Sequence, residues 1–551
     1  MAKLVLGPML RYVGTDEATI WVEADAHCEV EVLGHRESTF RVGGQHYAIV
    51  IVRGLMPDAS IEYDVRLDGK LVWPRPGSAL PPSRIQTLPT EGPLEIAFGS
   101  CRVTAPHEPP HTLGPDEDAE GLGLDALHAL ALRLEDQDPH AWPRLLLLIG
   151  DQVYADEVSP QTQALIRARR DVSVEPGEEV LDFQEYTWLY REAWSPPALR
   201  WLLSTIPTAM IFDDHDVRDD WNISESWVEE TRATPWWGDR IVGALATYWI
   251  YQHLGNLSPA QLERDSLYTQ VLAAEDAAPL LREFAIAAER EGGGSLWSFS
   301  RQLAGTRLVV IDGREGRVLT GGRREILDEN EWRWVEEELT GEFDHVLIAN
   351  TLPVLLAPTL HYVEAWNEAV CQGSWGKTAA RLSEKLRRGI DLEHWAAFQS
   401  SFHRMIDLIM QVGSGHRGTP PASIVLLGGD VHQAYLESVG FRRSSQVHSA
   451  VYQAVCSPFR HQLAKRERRI LTIVRRSRII GWLARRLALA AGVRDPEARW
   501  QVVQAPTFDN QLGRLHIDGR RLGLIIEAVR SRPEPELVVT LKRQLVGRSG
   551  F

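Results

Sequence analysis

The chain has 551 residues, of which 44% are hydrophobic, so it is long enough for two or more domains with large buried cores. Its 59 basic and 75 acidic residues give a formal net charge of −16, which argues against general nucleic-acid binding. The four cysteines are widely spaced and form no CxxC pair, which indicates neither a zinc knuckle nor a disulfide framework.

The N-terminus has one lysine and a short apolar run that Gly7 and Pro8 interrupt. This pattern is typical of neither a signal peptide nor a twin-arginine leader. The sequence has no apolar stretch of 18 residues, so we expect no transmembrane segment. Together these features predict a soluble, cytoplasmic protein.

Residues 1–90 alternate apolar with polar side chains in short runs such as "ATIWVEA" and "HYAIVIVRGL". Turn residues separate the runs, among them Gly43-Gly44 and Asp68-Gly69. Such short alternating strands predict an antiparallel β-sandwich domain of the fibronectin or immunoglobulin type. The proline-rich stretch 73–89 is predicted to link it to a second domain that spans residues 91–551.

From about residue 94 fully apolar strands alternate with long helical segments, which predicts an α/β fold with a layered sheet core flanked by helices. Ligand sites in such folds form just beyond the carboxyl ends of the strands. We therefore expect one site where several apolar strands end in polar clusters: "FGSCR", "GDQVYAD", "FDDHDVRDD", "IDGREGR", "IANTLP" and "GGDVHQ".

The residue types at these strand ends suit metal ions. The carboxylate of Asp151 can bridge two cations, and Tyr154 can ligate as a phenolate, which calls for a strongly Lewis-acidic metal such as Fe³⁺. The thiolate of Cys101 is a soft donor that also suits iron.

Two further pairs add carboxylate and imidazole groups. Asp214 and His215 are adjacent, while Asp430 and His432 alternate along an extended segment and can face the same side. Paired metals hold the attacking and leaving oxygens of an in-line displacement, so this residue set favours phosphoester hydrolysis.

The motif "GDQVY" resembles the GDxxY element of dinuclear metallophosphoesterases of the purple-acid-phosphatase type. "FDDHD" stands where that superfamily has Gly-Asn-His-Asp/Glu, and "GGDVH" stands where it has Gly-His-x-His. With "FGSCR" ahead of them, these variants are similar to the PhoD-like (alkaline phosphatase D) family. The likeness extends over residues 94–460 and includes "LVVIDGR" and "EHWAAF". A β-sandwich before the catalytic domain also fits that family.

The resemblance implies ligand roles. Cys101, Asp151 and Tyr154 match the family's Fe³⁺ ligands, and Asp151 would bridge to a Ca²⁺ site. Asp430 and His432 match the last metal-binding motif. Mn²⁺ and Zn²⁺ are the alternatives to iron and calcium. Cys101 takes the place of the Asp-x-His motif that opens ordinary metallophosphoesterases.

Asp214 stands at the superfamily's asparagine ligand, and His215 stands at the histidine that contacts phosphate and can protonate the leaving oxygen. Arg102 is a second catalytic candidate, because it either grips a substrate phosphate or pairs with a local carboxylate. Asp213 and Asp216 flank the pair, and one of them either caps the next helix or orients His215.

Other positions keep two interpretations. The amide oxygen of Asn350 can bind Ca²⁺, but a role in a turn is equally consistent with the sequence. His361, His394 and Trp395 are candidates for the pocket wall.

Residues 459–493 hold ten Lys/Arg and a single acid, Glu467, in an otherwise acidic chain. Apolar residues between the cations predict helices with a basic face. One interpretation is peripheral contact with an anionic membrane or a polyanion. We favour the other, in which the helices pack on the catalytic domain and the arginines pair with its carboxylates.

The sequence thus predicts a metallophosphatase that hydrolyses small phosphomonoesters or phosphodiesters by metal-bound hydroxide. One alternative is a phosphodiesterase that acts on lipid or nucleotide substrates at the same site. Another is a catalytically silent binding protein in which the sandwich is the working part. The metal-site and acid–base residues weigh against a silent protein, since all are present: Asp151, Asp214, His215, Asp430 and His432.

Overall fold

The computed structural model describes residues 2–291, 296–442, 446–531 and 534–547. Short strands occupy the N-terminal part, and each follows an alternating run in the sequence. These strands are β1 (Leu4–Val13), β2 (Glu17–Ala24), β3 (Glu29–Val32), β4 (His35–Ser38), β5 (Phe40–Val42), β6 (Gln45–Arg53), β7 (Ser60–Glu62), β8 (Val65–Leu67), β9 (Lys70–Trp73) and β10 (Arg84–Gln86).

Two four-stranded antiparallel sheets, ordered β1-β2-β6-β5 and β4-β3-β8-β9, pack face to face in this part. Alternate residues of β2 point to opposite sides of its sheet. Ile20 and Val22 belong to the core between the two sheets, whereas Trp21 belongs to the main core of the molecule. Trp21 packs there against Tyr251, with ring centroids 5.1 Å apart. The predicted sandwich is present, and one of its sheets is buried on both faces.

Longer apolar strands form the sheets in the rest of the molecule. They are β11 (Leu94–Gly99), β12 (Leu145–Ile149), β13 (Thr208–Ile211), β14 (Phe299–Leu303), β15 (Thr306–Ile311), β16 (His345–Asn350), β17 (Ser423–Gly428), β18 (Ala434–Phe441), β19 (Ala450–Val455), β20 (Ala498–Thr507), β21 (Gln511–Asp518), β22 (Arg521–Ser531) and β23 (Pro535–Val546).

These strands form two mixed sheets, ordered β13-β12-β11-β21-β22-β23 and β14-β15-β16-β17-β19-β18-β20. Residues of both sheets share one hydrophobic core, in which Leu147 of β12 and Leu347 of β16 are fully buried. A second core lies on the other side of the seven-stranded sheet, where Ile348 lies with the helical residues Trp332 and Phe402. The sheets therefore form the interior layers and the helices the outer ones.

The helices are α1 (Ala126–Glu135), α2 (Pro160–Arg169), α3 (Phe183–Trp194), α4 (Pro197–Thr205), α5 (Glu225–Arg232), α6 (Trp237–Tyr251), α7 (Pro259–Arg264), α8 (Ser266–Ala273), α9 (Ala278–Glu291), α10 (Glu329–Glu338), α11 (Pro358–Cys371), α12 (Lys377–Gly389), α13 (Gln399–Ser414), α14 (Lys465–Arg476) and α15 (Arg478–Ala490). In the described ranges no helix combines the length and apolar character that crossing a bilayer requires. The α/β fold predicted from the sequence is confirmed.

Parallel pairing aligns the strand ends. β11, β12 and β13 run parallel in the first sheet, and β15, β16, β17 and β19 run parallel in the second. Their in-register partners bring the carboxyl ends of neighbouring strands to a common edge, so the polar segments that follow them meet there.

Candidate metal centre

Four carboxylates converge at this edge. Asp151 follows β12, Asp213 and Asp214 follow β13, and Asp430 follows β17. One carboxylate oxygen from each residue lies within 4.8 Å of the corresponding oxygens of the other three. The first three side chains are buried and Asp430 is partly buried. Four carboxylates this close repel one another strongly unless positive charge lies among them.

Two glycines let the loops approach this closely. A Cβ added to Gly429 would lie 2.4 Å from Ser100 Oγ and 2.8 Å from the carbonyl oxygen of Ile149. At Gly150, where φ is +108°, an added Cβ would lie 2.9 Å from the Asp213 Cβ. Each glycine therefore occupies a space that no other residue fits. This close approach explains why a glycine precedes Asp151 and Asp430.

The backbone at four predicted ligands is strained. Cys101, Asp151, Asp430 and His432 have φ values of 57°, 48°, 60° and 48°, in the left-handed region. L-residues rarely adopt this conformation, which costs on the order of 1 kcal/mol or more per residue. Strain of this kind clusters at functional sites, where the surrounding structure holds side chains in an unusual direction.

Unpartnered oxygens indicate where cations fit. Asp151 Oδ1 and Asp213 Oδ2 are buried and accept no hydrogen bond from the described residues. Burial and the neighbouring carboxylates raise the pKa of Asp151 and of Asp213 well above the usual range. Since buried carboxylates are normally hydrogen-bonded or metal-bound, this donor set fits a metal centre of oxygen ligands.

A second set of donors lies beside Asp151. The Tyr154 hydroxyl donates to Asp151 Oδ2 at 3.3 Å and lies 3.5 Å from His461 Nδ1. The rings of His461 and His432 have centroids 4.4 Å apart. Cys101 Sγ is buried and lies 3.6 Å from the carbonyl oxygen of Asp430. Tyr154 is thus the donor of this set that contacts Asp151 directly, while Cys101 contacts the Asp430 backbone and His432 lies against His461.

The protonation of these donors depends on a nearby cation. Burial and the Asp151 carboxylate raise the pKa of the Cys101 thiol and of the Tyr154 phenol. Burial and the neighbouring His461 lower the pKa of His432 well below its usual value, so its imidazole is neutral, as a metal ligand must be. A thiolate and a phenolate at this place require strong positive charge, which a metal ion supplies.

His215 is held by a carboxylate that the sequence analysis did not select. Its Nδ1 donates to Asp156 at 3.0 Å, and its ring lies against Tyr154 with centroids 4.7 Å apart. Burial lowers the pKa of His215, but Asp156 and Asp214 outweigh burial and raise that pKa well above its usual value. In the metal-free chain these carboxylates therefore favour the protonated imidazole.

Arg314, at the end of β15, is the main cation that sequence reasoning missed. Its guanidinium is fully buried and donates to Asp213, to Asp214 at 3.0 Å and to Glu393. It therefore offsets part of the negative charge on one side of the cluster. "LVVIDGR" contains this arginine, and its position after an apolar strand is the signal that could have selected it.

His461 was also missed, although it follows β19, one of the parallel strands of the seven-stranded sheet. By contrast, the pocket-wall candidate His394 does reach the cluster. Its Nδ1 lies 2.8 Å from Glu364, and its Nε2 lies 3.6 Å from Asp430 Oδ2.

Arg102 contacts a local carboxylate and a backbone carbonyl group instead of the carboxylate cluster. Its guanidinium donates to Asp125 at 2.7 Å and to the carbonyl oxygen of Ala193 at 3.1 Å, and the side chain is buried. Asp125 is the N-cap of α1. The contacts therefore correspond to pairing with a local carboxylate, and the side chain makes no described hydrogen bond to the carboxylate cluster. Its catalytic role stays a prediction.

Three other candidates form structural contacts. The amide oxygen of Asn350 accepts from Leu352 N–H and Trp395 Nε1, each at 3.0 Å, which corresponds to the turn interpretation. His361 is buried and packs against Phe402, with ring centroids 4.7 Å apart.

Asp216 acts as a cap. Its carboxylate accepts the N–H groups of Asp213 at 2.9 Å and of Gln152 at 3.3 Å. It thereby ties the segment after β13 to the segment after β12. Burial raises the pKa of Asp216 to about 7.

Comparison with known proteins agrees with this geometry. Residues 135–270 match the family model of the PhoD-like phosphatases, and residues 1–85 match a model for a domain of unknown function. The alignment with the solved structure titled "Structure of PhoD" covers 99% of this chain and 92% of that chain. The TM-score is 0.57 and the sequence identity is 13%. No curated protein matches the sequence.

Two more distant structures are phosphatases. A purple acid phosphatase from yellow lupin (Lupinus luteus) seeds has 10% identity, a TM-score of 0.46 and coverage of 94% of this chain and 71% of its own. A dimetal phosphatase from Danio rerio has 7% identity and a TM-score of 0.31, and the alignment covers 82% of this chain and 98% of that chain.

The layered sheets share the fold of the solved PhoD structure, and four carboxylates lie together at the carboxyl edge of the strands. More particularly, residues 135–270 match the PhoD-like phosphatase model, in agreement with the resemblance that the motifs predicted. The matched range contains Asp151, Tyr154, Asp214 and His215.

Asp220 provides a pH test of the charge at this site. It has a φ of 65°, and its Oδ1 is buried without a hydrogen-bond partner. Burial, Glu393 and Asp391 raise the pKa of Asp220 to about 8 in the folded chain, against about 3.9 when unfolded. The stability that a neutral Asp220 contributes is therefore fully present below about pH 4 and is lost as the pH rises to about 8.

We expect Asp220→Asn to raise the melting temperature of the metal-free protein at pH 8 and to leave it nearly unchanged at pH 4. Asparagine also tolerates the positive φ. Thermal unfolding of chelator-treated protein at both pH values measures this effect, with the exposed Asp136→Asn as control. A difference that does not grow with pH would contradict the raised pKa.

Proposed function

We propose that the chain hydrolyses small phosphomonoesters or phosphodiesters at a two-metal centre in which Asp151 is the shared ligand. The carboxylates within 4.8 Å of one another carry this proposal, because two of their oxygens have no other described partner. We assign residues 1–90 to the sandwich domain and residues 91–551 to the catalytic domain.

The donor types support two different ions. Tyr154 contacts Asp151, and together with Cys101 and His432 it forms a donor set that would suit Fe³⁺, since thiolate and phenolate stabilise a strongly Lewis-acidic ion. Asp214 and Asp430 suit Ca²⁺, which prefers several carboxylate oxygens. Such ions, when bound, would supply an activated water as nucleophile and positive charge for the phosphate oxygens.

The residues of the chain position and protonate the substrate. His215 keeps a proton because Asp156 holds its Nδ1, so Nε2 can donate to the leaving oxygen. Asp156 is a positioning residue in this scheme, as it fixes the ring orientation. Arg314 keeps Asp213 and Asp214 in place through its hydrogen bonds.

A cavity that is lined in part by Asp156 and Asp219, two neighbours of His215, offers space for the leaving group. Its volume is about 820 Å³, and Asp156, Arg218, Asp219, Trp227 and Trp236 line part of it. Such a volume accommodates an alcohol much larger than a methyl or ethyl group. It is consistent with both monoesters and diesters.

The first test of the proposed function concerns the shared ligand. We expect Asp151→Asn to reduce the metal content of the purified protein and to lower phosphatase activity by at least about a hundredfold, since a bridging charge is removed. Elemental analysis and turnover of a nitrophenyl phosphate measure the two effects. Asp136→Asn, on an exposed carboxylate, is the matched control. Full metal content with full activity in Asp151→Asn would refute the centre.

The second test concerns iron. Ligation of Fe³⁺ by a phenolate gives a visible charge-transfer band, so the wild-type protein should be coloured. We expect Tyr154→Phe to remove this band while the melting temperature changes little. Tyr268→Phe, remote from the centre, should keep the band. A colourless, iron-free and fully active wild-type protein would overturn the iron assignment and leave a centre of divalent ions.

The third test concerns the proton donor. We expect His215→Ala to lower turnover by about 10²–10⁴ for esters of poor leaving groups, the usual scale of general acid assistance. The loss should be smaller for nitrophenyl esters, whose leaving oxygen needs little protonation. The metal content should stay at the wild-type level, and the exposed His140→Ala serves as control. Equal losses for good and poor leaving groups would exclude the general-acid role.

A further inference from the structure

Helices α14 and α15, which we call the basic helix pair, carry an exposed apolar surface beside their cations. The exposed fraction reaches 63% at Ile473, 74% at Ile479 and 58% at Trp482. Single exposed apolar residues are normal on a protein, but a dense group indicates an interaction surface. The large exposed residues of the pair are Ile470, Ile473, Ile479, Ile480, Trp482, Leu483, Leu487 and Leu489.

The packing of α15 explains this exposure. The helix lies on α11 through small residues, since Ala488 is fully buried and contacts the cluster of Ala365 and Val493. Ala484 is buried on the same face. The helices do pack on the catalytic domain, as the favoured interpretation held, but the larger apolar side chains lie on the outside. Alanine contacts thus attach the pair and leave its bulky residues uncovered.

The charges of the pair are only partly neutralised. Arg468, Arg475 and Arg485 form ion pairs with Asp116, Glu437 and Asp495, respectively. Arg466, Arg469 and Arg486 are exposed and form no ion pair with the part of the chain that is described. The side chains of Arg476 and Arg478, two of the cations considered in the sequence, lie outside the described residues.

We propose that the basic helix pair docks on an anionic membrane surface. Short helices that combine uncovered Ile, Leu and Trp with unpaired arginines lie in the interface of a bilayer, where the apolar residues enter the acyl boundary and the cations contact headgroup phosphates. Arg486 lies over the Trp482 ring at 5.3 Å from its centroid, an aromatic and cationic pair suited to that boundary.

A second copy of the chain fits this surface less well. A two-fold dimer would place the same patch of both copies in contact, and arginine would then face arginine. An anionic lipid surface, in contrast, offers the complementary charge. The net charge of −16 opposes approach from a distance, but screening limits that repulsion to roughly 8 Å at physiological ionic strength. Close to the surface, the nearest charges and the apolar contacts decide the binding.

The pair is also next to the metal centre. His461 lies three residues before the loop residue that caps α14, and Arg475 donates to Gln433, the neighbour of His432, at 3.2 Å. Docking would therefore bring the edge that carries the centre close to the lipid surface. If the proposed function holds, phosphate esters at that surface come within reach of the centre, but the docking itself does not depend on catalysis.

The test is flotation of the metal-loaded, full-length protein with vesicles of phosphatidylcholine alone or mixed equally with phosphatidylglycerol. We expect binding to the anionic vesicles at physiological salt. Ile479→Ser combined with Trp482→Ser should weaken that binding at least about tenfold, because both side chains enter the boundary. Arg466→Gln combined with Arg469→Gln should weaken it and reduce its salt dependence. Met56→Ser with Leu272→Ser, at exposed apolar sites elsewhere, should bind like the wild type.

A blue shift of tryptophan fluorescence on vesicle addition, absent in Trp482→Phe, would support direct insertion. Light scattering of each variant without vesicles measures the oligomeric state, and thermal melting shows that each variant is folded. The proposal is overturned if the wild type binds neither vesicle, or if binding is unchanged in both double variants. It is also overturned if the apolar double variant converts a dimer into a monomer while no protein binds vesicles. Because flotation requires no turnover, these results are independent of the phosphatase tests.

Discussion

The structure depends on holding several negative charges in one small buried space. Asp151, Asp213, Asp214 and Asp430 each contribute an oxygen to a space less than 5 Å across, as the 4.8 Å limit on their separations shows. Only some of this charge is offset by the chain, chiefly through Arg314. The remaining charge carries a large energetic cost, which protonation of a carboxylate or a bound cation would relieve.

Several features follow from that constraint. The two parallel strand sets bring the ligands to one edge, while left-handed backbone at Cys101 and Asp151 directs side chains inward at a cost in conformational energy. Asp216 ties the loops after β12 and β13 with backbone hydrogen bonds. The main core between the sheets supplies the rigidity that keeps this strained edge in place.

Apolar strands that end in polar clusters made the fold class and the meeting of Asp151, Asp214 and Asp430 predictable. The place of Asp213 in the cluster was not predicted, because the sequence suggested a capping or orienting role for it. Arg314 was not predictable in its role, since its partner Asp213 is 101 residues away. His461 and Tyr154 are separated by 307 residues for the same reason. Arg102 pairs with Asp125 because the start of α1 lies beside Arg102. No local sequence pattern predicts this contact. Nor does helical periodicity tell which face of α15 meets α11.

The sandwich sheet that is buried on both faces has an evolutionary consequence. Ile20 and Trp21 are neighbours in β2, yet they belong to two different cores, and Trp21 packs on Tyr251 of α6. A domain whose strand contributes side chains to two cores cannot be replaced on its own. A replacement domain would have to reproduce both the alternating side chains of β2 and their fit to the aromatic surface of α6. The N-terminal sandwich and the α/β part of this chain should therefore be inherited as one unit, and they should accept change at their contact only in matched pairs.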